Sequence, residues 1–167
     1  MPKTPAKNSA RDAITTQTDT AEPRPHSLSS TGANPKAARE FAIEAARLLA
    51  DDKCEEVVLL DVGGVSSVTD FIVIGSGSSE RQMRSVLTHV EEMGARRKFT
   101  VFRSSADERS TWLLADFVDV VVHVFEPNTR AHYDLEMLWG DAEKVDWQRD
   151  GEPAARRRPG VKGGPVA

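Results

Sequence analysis

The chain has 167 residues, of which 39% are hydrophobic and 29% charged, and a formal net charge of −4 at pH 7. That length suits one domain and is short for two, and no apolar run approaches the ~18 residues needed to cross a bilayer, so a soluble, non-membrane protein is expected. The single cysteine, Cys54, excludes an intramolecular disulfide and any multi-cysteine zinc or iron–sulfur site, which fits a reducing compartment such as the cytoplasm.

Five of the nine prolines fall at or before Pro35, and none lies between Lys36 and Glu126. Residues 1–35 are rich in Ser, Thr, Pro and Ala. Such a segment buries too little apolar surface to offset its ordering entropy, so it is expected to be disordered. Its start, Met1-Pro2-Lys3-Thr4-Pro5, lacks the apolar core of a secretory signal, and Asp12, Asp19 and Glu22 argue against an organelle transit peptide. Residues 151–167, with Arg156-Arg157-Arg158, repeat the disordered signature as a basic tail. The folded unit is therefore expected at 36–150. Net charge divides in the same way: +1 for 1–35, −8 for 36–150 and +3 for 151–167. An acidic core is a poor primary binder of nucleic acid and suits a basic protein partner. The tail could add a weak RNA contact.

Within that unit the apolar periods alternate. A first helix is predicted over Pro35–Asp52, with Asn34 as N-cap and Phe41, Ala45 and Leu49 on its apolar face. Strands follow at Glu56–Val62 and Phe71–Gly75. A second helix spans Glu80–Met93, opened by a Ser79/Gln82 capping box and stopped by Gly94. Strands Phe99–Arg103, Thr111–Ala115 and Asp119–Phe125 come next, then a third helix over Arg130–Trp139. The order α-β-β-α-β-β-β-α predicts the α/β class, a mixed sheet flanked by helices.

Three constellations could carry function. Gly75-Ser76-Gly77-Ser78-Ser79 lies between a strand and a capped helix, where free N–H groups favour anions. It is similar to the Gly-Ser corner of nucleotidyltransferases, but the strand after the second helix has no carboxylate pair to hold magnesium, and a turn with a cap is the simpler reading. Among the histidines (His26, His89, His123 and His132) no spacing suggests a metal site. Period two puts Asp119, Val121, His123 and Phe125 on one strand face, where His123 reads as a structural, hydrogen-bonded residue. The third is Trp112 with the turn Asp116-Phe117-Val118-Asp119. Val118 is awkward in a tight turn, which wants Gly, Asn or Asp. Trp is enriched at interface hot spots, and carboxylates beside it would select a basic partner, whereas Trp139 reads as core.

Taken together and in order, the motifs of residues 37–142 resemble the ribosomal silencing factor, or Iojap-like, family. They are Val58-Leu59-Leu60-Asp61-Val62, Ser66-Ser67, Asp70-Phe71 and Val73 to Ser79 with Arg81-Gln82. Trp112, Asp116 to Phe125, Arg130, Tyr133 to Glu136 and Leu138 to Asp141 complete the set. The resemblance implies a nucleotidyltransferase-like fold without transferase activity and without a cofactor. It implies binding to the large ribosomal subunit through its fourteenth protein, steric blocking of the small subunit, and dampened translation when nutrients are scarce. Organellar relatives assist large-subunit assembly, and homodimers are known in the family. Trp112, Leu113, Asp116, Phe117 and Asp119, with Tyr133, are the implied partner contacts. The chain departs from the family pattern at Phe102 to Ser105, at Ala115 and at Val118. An assembly factor, or an enzyme using Gly75–Ser79, are the competing readings.

Overall fold

A computed structural model of the protein describes residues 34–152. The stretches 1–33 and 153–167, which hold almost all of both segments expected to be disordered, lie outside the described residues.

Helix α1 (Pro35–Asp51) starts as its sequence dictates: Asn34 Oδ1 accepts from the Ala37 N–H at 2.8 Å, and Pro35 sits in the first turn. Its apolar stripe, including Phe41, Ala45 and Leu49, is buried. Strands β1 (Glu55–Asp61) and β2 (Phe71–Ser76) follow, then helix α2 (Glu80–Arg96). Ser79 Oγ accepts from the Gln82 N–H at 3.2 Å, which is half of the expected capping box. The Gln82 side chain does not return to Ser79; it accepts from the Ser78 N–H at 2.6 Å and donates to the Asp52 carbonyl at 2.9 Å. Strands β3 (Arg103–Ala106), β4 (Trp112–Asp116) and β5 (Val120–Phe125) precede short helices α3 (Pro127–Tyr133) and α4 (Leu135–Leu138) and a two-residue strand β6 (Glu143–Lys144).

The six strands form one sheet in the order β3-β4-β5-β2-β1-β6. Only β2 and β5 run parallel; every other neighbouring pair is antiparallel. The mixed α/β sheet is as expected. Helices α1 and α2 cover one face, and the core there joins Leu59, Val73, Leu113, Ala115, Val122 and Val124 to both helices. Phe41 anchors it, stacked on Phe99 at 4.5 Å and edge-on to Phe117 at 5.0 Å. Cys54 is buried in the same core, and burial pushes its thiol up to about 12. The opposite face carries a smaller cluster of Leu60, Val62, Ile72, Ile74 and Phe125, roofed by Leu135 and Trp139. Trp139 is thus core-packed, as its sequence reading holds.

Four expectations change. Gly94 does not stop α2 but lies inside it: a Cβ there would meet the Phe99 carbonyl at 2.6 Å and the Phe117 ring at 2.7 Å, so glycine permits close packing. The strand expected at Phe99–Arg103 is displaced to Arg103–Ala106, because Phe99 plugs the core from a connecting segment while Phe102 is 74% exposed. The third helix is two helices. Asp134 breaks it with φ +43°, and its carboxylate then caps α4 by accepting from the Met137 N–H at 3.3 Å. Asp119 stands outside β5.

After β6 the chain returns over the helical side. The Trp147 indole N–H donates to the Val57 carbonyl at 3.2 Å, and Arg47 donates to the Trp147 carbonyl at 2.7 Å. Arg149 pairs with both carboxylate oxygens of Asp51 at 2.9 Å. Among the described residues, no helix is long and apolar enough to cross a membrane.

Candidate partner-binding surface

Trp112 opens β4, opposite Phe125 of β5 in the sheet register. Strand alternation sends Leu113 and Ala115 into the helical core and turns Trp112, Leu114 and Asp116 to the other face, where all three are half-buried. The same alternation in β5 brings His123 and Phe125 to that face, with Leu114 opposite His123 and Asp116 opposite Val121. The α3 helix then lays Tyr133, 51% exposed, beside Trp112.

An aromatic group results. The Trp112 ring lies 4.9 Å from Phe125, nearly parallel, and 4.7 Å from Tyr133. Its indole N–H donates to His123 Nδ1 at 3.1 Å. His123 is buried, and that burial lowers its pKa to about 4, so the ring is neutral, with its proton on Nε2. The backbone of Trp112 is fixed as well. Asp107 Oδ1 accepts from the Thr111 N–H at 2.5 Å and the Trp112 N–H at 2.9 Å. Partial burial opposes the Asp107 charge, but the Thr111 hydroxyl and the backbone N–H groups of Trp112, Thr111 and Arg109 outweigh it and hold the carboxyl below its usual range.

Helix α3 is pinned by a buried cation. Arg130 donates to Ser76 Oγ at 2.8 Å and to Glu136 at 2.9 and 2.5 Å. Its charge is thereby paired and three of its donors used, as burial of a guanidinium favours.

The six expected contacts do not form one patch. Trp112 and Tyr133 meet. Asp116 lies at the far end of β4, about 13 Å along the strand at ~3.3 Å per residue. Its Oδ1 accepts from the Val118 N–H at 2.8 Å, so the carboxylate shapes the turn. Leu113, Phe117 and Asp119 are buried. Leu113 and Phe117 face the helical core, and the Asp119 carbonyl accepts from the Asp70 and Phe71 N–H groups. The awkward Val118 indeed adopts φ +73°, and the Asp119 N–H donates to the Phe117 carbonyl across it at 3.0 Å. That i→i+2 bond with positive φ is a strained γ-turn, held because Phe117 is fully buried.

The Gly75–Ser79 turn uses two of its amides internally. The Gly77 N–H donates to the Phe125 carbonyl at 2.8 Å and the Ser78 N–H to Gln82, while Ser79 caps α2. A Cβ on Gly77 would fall 2.2 Å from Met83 Cγ, so this glycine makes room for a core side chain. Among the described residues no group of three His, Cys, Asp or Glu side chains is placed to hold a metal.

Sequence reasoning missed Asp107, Arg130 and Glu136 as supports of the surface. Arg130 carried a faint signal: a lone cation next to a strand end, with Glu136 six residues on.

The family described as "Ribosomal silencing factor during starvation" matches residues 35–162. The chain belongs to this family. A ribosomal silencing factor from Halalkalibacterium halodurans is 40% identical over 96 residues, covering 58% of this chain and 82% of that protein. The mouse protein named "Mitochondrial assembly of ribosomal large subunit protein 1" is 30% identical over 95 residues, covering 55% of this chain and 42% of its own length. A crystal structure of a Chromobacterium violaceum protein superposes with a TM-score of 0.57 at 30% identity, covering 65% of this chain and 88% of that one. The matched span takes in every strand of the sheet.

Proposed function

We propose that this ribosomal silencing factor binds the large ribosomal subunit through its fourteenth protein and sterically blocks joining of the small subunit, dampening translation when nutrients are scarce. The observation that carries the reading is the Trp112–Tyr133 pair: two large aromatic rings in contact, partly open to solvent, on the sheet face that the long helices leave uncovered. Rigid aromatic anchors supply binding energy at small entropic cost. The net charge of −8 on the folded unit favours a Lys- or Arg-bearing partner. Leu113 and Phe117 serve from below by holding β4 and its turn, and Asp116 and Asp119 by shaping that turn.

Co-sedimentation with purified large and small subunits tests this. The protein is expected to pellet with large subunits only. Trp112→Ala is expected to weaken pelleting by at least about tenfold without unfolding the domain, and Asp116→Lys to weaken it less. A subunit-joining assay should then show inhibition by the wild type and not by Trp112→Ala. Failure to bind large subunits at physiological salt ends the proposal.

A second reading, assembly of the large subunit, draws on the mouse relative's name. Both roles would use one surface and differ in timing. Loss of the protein would change precursor-subunit levels under the assembly reading, and only translation in starved cells under the silencing reading. An enzymatic role at Gly75–Ser79 is disfavoured by a turn whose Gly77 and Ser78 amides are engaged by its own chain; calorimetry with Mg-ATP and Mg-CTP is expected to register no heat.

A further inference from the structure

Trp112 is held by contacts of two kinds. Stacking on Phe125 and Tyr133 gives attraction but little direction, since a ring can slide or flip on its neighbours and keep most of its buried area. The bond from its indole N–H to His123 Nδ1 at 3.1 Å is directional. His123 is well placed to impose it. It sits in the middle of β5, with Leu114 across on β4 and Ile74 across on β2, and its ring is 6.0 Å from Phe125 and nearly parallel to it. A residue paired on both sides in the sheet cannot shift without breaking the register. The bond also decides what Trp112 can offer. Its only polar atom faces inward onto a buried acceptor, so the exposed part of the side chain is hydrocarbon and π-face.

We propose that His123 is the positioning residue of the docking surface: it locks the Trp112 indole in one orientation and consumes its N–H, so that the surface recognises an aliphatic side chain or the stem and head of a Lys or Arg, and not a hydrogen-bond acceptor. This rests on the reading that Trp112 contacts the large subunit. Arg130 of α3, which is buried, and Glu136 of α4, which is partly buried, bond to each other, and Arg130 also bonds Ser76, which leaves the neutral imidazole as acceptor for Trp112.

The test combines binding with nuclear magnetic resonance of the indole N–H groups of the full chain. Trp112→Phe assigns the Trp112 signal, and the Trp147 signal, bonded to the Val57 carbonyl, reports an intact fold. His123→Phe keeps the ring and removes the acceptor. It should move the Trp112 signal and speed its exchange with solvent, leave the Trp147 signal in place, and weaken binding to large subunits about fivefold, the worth of roughly one net hydrogen bond. His123→Asn, whose Oδ1 stands where Nδ1 stood, should restore most of the affinity. Equal binding by His123→Phe and wild type, while Trp112→Ala is defective, overturns the positioning role alone. Normal binding by Trp112→Ala overturns the docking reading and this inference with it. If His123→Phe loses the Trp147 signal, the tautomer decides in the unmodified protein. A ring proton on Nε2 with a bare Nδ1 is expected, and a proton on Nδ1 overturns the proposal.

Discussion

The two faces of the sheet are built on different principles. The face under α1 and α2 is closed mainly by apolar side chains, in a core that runs from Phe41 through Val73 to Phe117. The face under α3 and α4 has only five fully buried apolar residues at its centre and is completed by directional bonds: Arg130 to Ser76 and Glu136, and Trp112 to His123. A packed apolar core gives stability and offers nothing to a partner. A face tied by a few hydrogen bonds can leave an aromatic pair partly open and still hold it in place. Stability and recognition are thus assigned to opposite sides of one sheet.

Substitutions should separate the two. Phe117→Ala empties the centre of the closed face and should cost about 4 kcal/mol in chemical denaturation, with no specific effect on the open face in any molecules that remain folded. Arg130→Met should cost about 3 kcal/mol, because it strands the partly buried Glu136 carboxylate. It should also weaken subunit binding by loosening α3 and Tyr133. An effect on stability with no effect on binding would break the division drawn above.

The pH dependence sharpens it further. Burial depresses the His123 pKa from 6.5 to about 4, so the unfolded chain takes up this proton first as pH falls. The neutral ring's contribution is complete above pH 6.5 and is lost on acidification, by about 2 kcal/mol between pH 6.5 and about pH 4.5. Denaturation of the wild type against His123→Asn over that interval isolates the loss. His89 on α2 has the opposite sign. The hydrogen bond His89 donates to the Asp52 carboxylate raises its pKa, and the small stabilisation of this exposed pair is present at low pH and fades as pH rises. The smallest expected effect is at the γ-turn. Val118→Gly relieves a β-branched residue at φ +73° and should stabilise the fold by about 1 kcal/mol, read as a shift in denaturation midpoint at constant slope.

Much of this arrangement is legible in the sequence where the signal is local. Asn34 and Ser79 mark helix starts because a cap needs only three or four neighbouring residues. Alternation locates β4 and β5 to within a residue or two. What escapes is decided by distant partners. The β6 strand is two residues long and exists because Leu60 and Asp61 offer an edge. Phe99 looks like strand and serves as a plug because Phe41 is there to stack on it. Within the candidate surface, Trp112 stands out as an aromatic beside an acidic turn, whereas Tyr133 is reached only through the family resemblance. That Leu113, Phe117 and Asp119 are inaccessible follows from which face of β4 meets the helices, a matter of cross-strand register that no single strand records.

The lone thiol has a practical use that follows from its place at the end of α1. Cys54 is buried just past the end of α1, and with its ionisation pushed up to about 12 almost none of it is thiolate at neutral pH. Alkylating reagents should therefore leave the native protein untouched and react only when α1 lifts from the sheet. The pace of that reaction would serve as a clock for helix detachment, read by mass without any added label, and could be run beside ribosomal subunits to learn whether docking on one face of the sheet quiets the other.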